Sequence, residues 1–180
     1  MVASVQHWDC HALVEAVIDA AGDTERIPVD DIERCFGSVD ELEVAAYCHA
    51  ARVLMEEMTN GLEGPGAWLD RWERAVRAVV AAVRRRPGLA HFTLTESEAT
   101  SDAMRERRMV YRREFIDVLE AEYVRGRDPA ELPDLHVELL AGAVYRAYVT
   151  EAIAGRLTDP RVDVVPKLVN VSAILEPVPA

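Results

Sequence analysis

The chain has 180 residues, with 20 Lys and Arg set against 32 Asp and Glu, for a formal net charge of -12. Half of its residues are hydrophobic and 29% are charged, the mix of a globular chain long enough to bury a core. This balance excludes a generally basic surface for nucleic acid, and no apolar run reaches the ~20 residues needed to cross a bilayer.

In chain order, residues 12–22 (ALVEAVIDAAG) put Leu13, Val14, Val17, Ile18 and Ala21 on one helical face, and Gly22 ends it. VDDIERCF predicts two further helical turns. Ser38 with Glu41 three positions on is a capping box, opening a helix with Leu42, Ala45, Ala46, Cys48, His49, Val53 and Met55 on adjoining faces. Asn60-Gly61 is expected to stop it, followed by a Gly64-Pro65-Gly66 turn. Trp68, Trp72, Val76, Val79, Val80 and Val83 form the stripe of the next helix, closed by Arg84 to Arg86 and Pro87-Gly88. LAHFTLTESEA is weakly helical. From 101 to 124, Met104, Tyr111, Phe115, Val118 and Leu119 run beneath a charged face. After a loop from Gly126 to Pro133, a helix over 134–155 is apolar around much of its girth, and a shorter one covers 162–175. The expectation is an all-α chain.

The N-terminus, MVASVQHWDCHALVEAV, has no basic stretch before an apolar one, so it does not read as a signal peptide. Cys10, Cys35 and Cys48 are an odd number without framework spacing. A cytoplasmic location, with no membrane partner, is the expectation.

The segment Phe36-Gly37-Ser38-Val39-Asp40-Glu41-Leu42 resembles the F-x-S-K-E-x-L junction of the TetR family of bacterial one-component regulators. Trp68 with Trp72, RRRPGLAHFTLTESEA, RERRMVYRREFIDVL, RGRDPAELPD and ELLAGAVYRAYVTEAIAGRL follow in that family's order. The resemblance implies a TetR-like ligand-binding and dimerisation domain over residues 38–180, behind a head over residues 1–37. It also implies a pocket between the central helices and a homodimer through the last two long ones.

The head departs from that pattern. Only Glu33, Arg34 and Cys35 lie between Ile32 and Phe36, where the family has about a dozen residues for a turn and a recognition helix. At ~1.5 Å per residue, three residues do not complete one helical turn, and a recognition helix needs several to present side chains to base edges. Charge agrees. Residues 1–63 carry 3 basic and 14 acidic groups, or -11, whereas residues 64–180 carry 17 and 18, or -1. An acidic head repels phosphates, so direct DNA binding is not expected.

For the pocket, the expected residues are Trp72, His91, Phe92, Met104, Tyr111, Phe115, Tyr145 and Tyr148, with Glu96 as a further polar group. For the dimer seam they are Leu139, Gly142, Ala143, Ala147, Val165, Leu168 and Val169. Arg105, Arg107, Arg108, Arg112 and Arg113 alternate with acids and read as a solvated face. His7, Cys10 and His11, with Cys35, Cys48 and His49, are the residue types of a soft-metal site, against which stands the absence of any CxxC pair. Asp9 is placed to support a ligand histidine. There is no G-x-S-x-G, P-loop or H-E-x-x-H pattern.

The leading expectation is a regulatory protein that takes a small, largely apolar or aromatic ligand, without a cofactor, and acts as a homodimer through a protein partner. The alternatives are a DNA-binding repressor of the TetR family, and an enzyme or metal-binding protein on the same helical scaffold.

Overall fold

The computed structural model describes residues 8–25, 27–94, 101–125 and 136–174. Among these, the regular structure is entirely helical. The helices are α1 (Cys10–Asp19), α2 (Val29–Phe36), α3 (Val39–Leu62), α4 (Trp68–Arg85), α5 (Gly88–Leu94), α6 (Asp102–Tyr123), α7 (His136–Ile153) and α8 (Val165–Ile174). None is long and apolar enough to cross a membrane.

Caps set several of the starts. Asp9, expected to back a histidine, instead caps α1 by accepting from the Ala12 amide at 2.7 Å. Ser38 accepts from the Glu41 amide at 3.2 Å, and Ser101 from Met104 at 3.3 Å. Between α2 and α3 stand only Gly37, in the left-handed region at φ 78°, and Ser38, so no further helix separates them. A positive φ is where glycine alone carries no steric penalty.

One boundary differs from expectation. Asn60-Gly61 does not stop α3, which continues to Leu62. Gly61 lies flat against the backbone of Ala75 in α4, where a Cβ would collide with the Ala75 Cα and amide. It serves close helix approach, and α3 and α4 form the most extensive helix pair.

Two apolar clusters share α3. The first joins Leu13, Val14, Val17 and Ile18 of α1 to Ile32 of α2, to Leu42, Ala46, Tyr47 and Ala50 of α3, and to Leu89, Phe92 and Met104. The second gathers the C-terminal part of α3 with α4, α7, α8 and the end of α6, around Leu62, Trp72, Leu119, Leu140 and Leu168. The change from one cluster to the other falls within α3, between Ala50 and Met58. Trp68 stacks on Trp72 at 5.6 Å and meets Tyr123 edge-on at 5.2 Å.

A buried arginine, Arg71, and a half-buried one, Arg84, hold the connections. Arg71 donates to the Gly66 and Glu122 carbonyls at 2.8 and 2.9 Å. Arg84 reaches the carbonyls of Leu157, Asp159 and Val162, fixing the link between α7 and α8. Cys10 and Cys35 form a disulfide between α1 and α2, with a Cα separation of 5.4 Å, while Cys48 is free and half-buried. The sequence spacing had given no framework. The pair is made by the packing of two short helices, which the linear spacing does not encode.

Candidate functional site

A cavity of about 700 Å3 opens between α3, α4, α5, α6 and α7, within the ~300–1,000 Å3 range of small-molecule sites. From α3 it is lined by Tyr47, Ala51, Met55 and Met58, and from α4 by Trp72, Ala75, Val76 and Val79. Thr93 and Leu94 of α5 and Ala141 and Tyr148 of α7 complete the apolar wall. The residues recur every three or four positions, which places each set on one helical face.

The remaining lining differs in character. Arg105, Arg108, Met109, Tyr111, Arg112 and Phe115 come from α6, and Gly142, Tyr145 and Arg146 from α7. Four arginines therefore border the cavity, and among the described residues no Asp, Glu, His or Cys lines it. The Arg108 guanidinium lies 5.7 Å from the Tyr47 ring, a cation–π contact. Arg105 pairs with Asp102, so part of its charge is answered locally. Tyr111 donates to the Cys48 carbonyl at 3.1 Å and meets the Tyr47 ring edge-on.

Desolvation raises the pKa of Tyr47, Tyr111 and Tyr148. The nearby Arg108 opposes this at Tyr47 without reversing it. All three phenols are thus neutral hydrogen-bonding groups at ordinary pH. The wall, as far as the described residues form it, offers apolar area, phenol hydroxyls and positive charge.

Of the residues expected in a pocket, Trp72, Tyr111, Phe115, Tyr145 and Tyr148 line this cavity, and His91, Phe92 and Met104 do not. Phe92 and Met104 are buried in the apolar cluster beside α1. His91 sits against Gly22 at the end of α1, on the outside of α5. Glu96 falls outside the described residues.

The sequence pattern missed the arginines, read as one solvated face. Arg107 and Arg113 do lie outside the lining, but Arg105, Arg108 and Arg112 share helical spacing with Tyr111 and Phe115. That spacing was the available signal.

The expected dimer seam divides. Val165 and Leu168 are buried within the chain, where α8 packs on α4 and α7, so they have no surface left for a partner. Val169 and Ala147 are half-buried against the same core, Ala143 is half-buried, and Gly142 lines the cavity. Leu139 is 64% exposed.

A second cluster lies where α1 meets α3. Glu15 Oε1 is 2.7 Å from His49 Nε2 and 3.8 Å from His11 Nε2, and the three ligand atoms lie within 4.8 Å of one another. Arg86, at the end of α4, bonds the other Glu15 oxygen and also Asp19. Burial lowers the pKa of His49; Glu15 opposes this, while Arg52, His11 and Arg86 reinforce it. Of the expected metal-site residues, His11 and His49 meet here. Cys10 is corrected: it is bonded to Cys35, which removes both thiolates. Cys48 is not in the cluster, and His7 lies outside the described residues. Glu15 was not anticipated, since a carboxylate in a helix gives no sign of its tertiary partners.

Comparison with protein-family models, with curated proteins and with solved structures finds no match for the chain.

Proposed function

We propose that this protein is a regulatory, small-molecule-binding chain of TetR-like build that does not read DNA. Its ligand is amphipathic, with a largely apolar body and an anionic head. One observation carries this reading: a cavity of about 700 Å3 has a largely apolar wall bordered by four arginines, with no carboxylate in its lining among the described residues. Arginines at the rim of an apolar cavity favour a ligand with a negative head over a neutral one, even where one of them, Arg105, also pairs with Asp102. The apolar wall supplies affinity in proportion to the area it removes from water.

The loss of operator binding is supported by the short passage from α2 to α3 through Gly37 and Ser38, and by the acidity of residues 1–63. Output then passes through a homodimer and a protein partner. Leu139 and Ile153 of α7, both exposed, offer apolar surface on which a seam would form.

The test is a titration of dodecanoate against dodecanol, which share a tail and differ in the head. Dodecanoate is expected to bind at least ~10-fold more tightly, a difference of ~1.4 kcal/mol, and the double variant Arg108→Ala/Arg112→Ala to remove that preference. Equal affinity for both compounds overturns the anionic assignment. Failure of both to bind removes this ligand class.

A second reading, metal binding on the same scaffold, is favoured by the His11–Glu15–His49 cluster, which lies outside the cavity.

A further inference from the structure

We infer that His11, Glu15 and His49 form a binding site for one divalent d-block cation of the zinc type, which clamps α1 to α3. The inference develops the metal-binding reading and is independent of the cavity.

Two imidazoles and one carboxylate are the donor set of three-ligand zinc sites that keep a further position for water. With metal–ligand bonds of ~2.0–2.1 Å, tetrahedral geometry places neighbouring donors about 3.3 Å apart. The separations from Glu15 Oε1, 2.7 Å to His49 and 3.8 Å to His11, bracket that value. All three donor atoms lie within 4.8 Å of one another, so side-chain rotation has only a short way to bring them to that spacing.

The local sequence explains how the set forms. His11 and Glu15 are four apart in α1, so they stand on one face, one turn from each other. His49 comes from the facing side of α3, and its ring meets that of His11 at 5.6 Å. Arg86 takes the second oxygen of Glu15, which leaves Oε1 facing the two imidazoles. Outer hydrogen bonds of this kind orient ligating carboxylates.

One contact opposes the cation and makes the proposal specific. An Arg52 guanidinium nitrogen lies 3.2 Å from His49 Nδ1. Arginine only donates, so Nδ1 accepts there and the ring proton sits on Nε2, towards Glu15. Metal binding at Nε2 requires that proton to move to Nδ1, and Arg52 must turn away. It has somewhere to go, since Arg52 already pairs with Glu56 on α3 at 2.6 Å. Arg52 therefore competes with the metal, and its removal should strengthen binding.

The experiment is calorimetric titration of Zn2+ into the full chain, free of any histidine tag, treated with chelator and kept in thiol-free buffer. One equivalent per chain is expected. His11→Ala and His49→Ala should each weaken binding by at least ~10-fold, and Arg52→Ala should tighten it. His11 is 74% exposed, so its variant keeps the fold, and far-UV circular dichroism verifies this. Cys48→Ala should bind as the unaltered chain does, which separates the cluster from the free thiol. Zn2+ should also raise the melting temperature of the unaltered chain and leave that of His11→Ala unchanged. Absence of binding overturns the proposal, as does equal affinity in the unaltered chain and His11→Ala.

Discussion

The two apolar clusters that share α3 are built by the same helix packing and end in opposite states. Around α1 and α2, side chains meet on all sides, and Leu13, Val17, Ile18 and Leu42 have no exposed surface. Around α4, α6 and α7, the packing stops short and leaves a cavity of about 700 Å3, whose wall also takes Tyr47 from the first cluster. Protein interiors are otherwise packed to near-crystalline density, so a hollow of this size forgoes contacts that a bound molecule can restore. The filled cluster should therefore govern stability, and the hollow one should govern binding.

The largest expected effect contrasts one residue from each. Leu13→Ala removes a fully buried side chain from the filled cluster and should cost about 3 kcal/mol, in the range for buried leucine truncation. Phe115→Ala takes a half-buried ring from the cavity wall, where one side already lacks neighbours. It should cost ~1 kcal/mol and weaken dodecanoate binding instead. Urea unfolding followed by circular dichroism reads both costs. Equal losses would break the distinction between the clusters.

The disulfide gives the second test, and it acts only on the filled side. Cys10 and Cys35 are 25 positions apart, and a loop of that length restricts the unfolded chain by about 3 kcal/mol. Cys10→Ser/Cys35→Ser should lower the urea midpoint accordingly while leaving dodecanoate affinity unchanged in the native range. Loss of affinity in step with stability would mean that the clusters do not act separately.

Third, Gly61→Ala addresses the contact at which α3 passes α4. A methyl group there meets the Ala75 backbone, not a side chain able to turn aside, and overpacking of this kind costs about 2 kcal/mol. The same urea experiment applies, and a cost near zero would show that the helices can separate slightly without loss.

Gly61 also illustrates where sequence reading stops. The helices around it were legible because apolar residues recur at three to four positions and because Ser38 and Ser101 bear cap signals. The glycine looked like a stop because its local preference is unfavourable, and only the nearness of α4 reverses that. The same holds for the Cys10–Cys35 pair and for Glu15, whose partners come from other helices. Five residues of the cavity wall were legible as aromatics on apolar helical faces, whereas Phe92 and Met104, equally apolar, packed into the filled cluster. Periodicity shows which face is covered, but not by what.

The smallest expected effect concerns how the hollow side is held without dense packing. Glu151 of α7 is 1% exposed and accepts from Arg156 at 2.6 and 2.9 Å and from Lys167 of α8 at 2.6 Å. The bonds from Arg156 lower its pKa from 4.5 to about 2; burial opposes them, and Lys167 assists. Between those values the unfolded chain binds a proton that the native chain does not. This contribution is therefore complete above pH 4.5 and is lost as pH falls from 4.5 towards 2, by ~1 kcal/mol at pH 4. Glu151→Gln should flatten the acid limb of stability by close to one proton, read from urea midpoints at pH 6, 5, 4 and 3. An unchanged slope would show that packing of α8 on α4, and not this charge, joins the last helix to the hollow side. The filled and hollow clusters would then be held by the same means, and their difference would lie in occupancy alone.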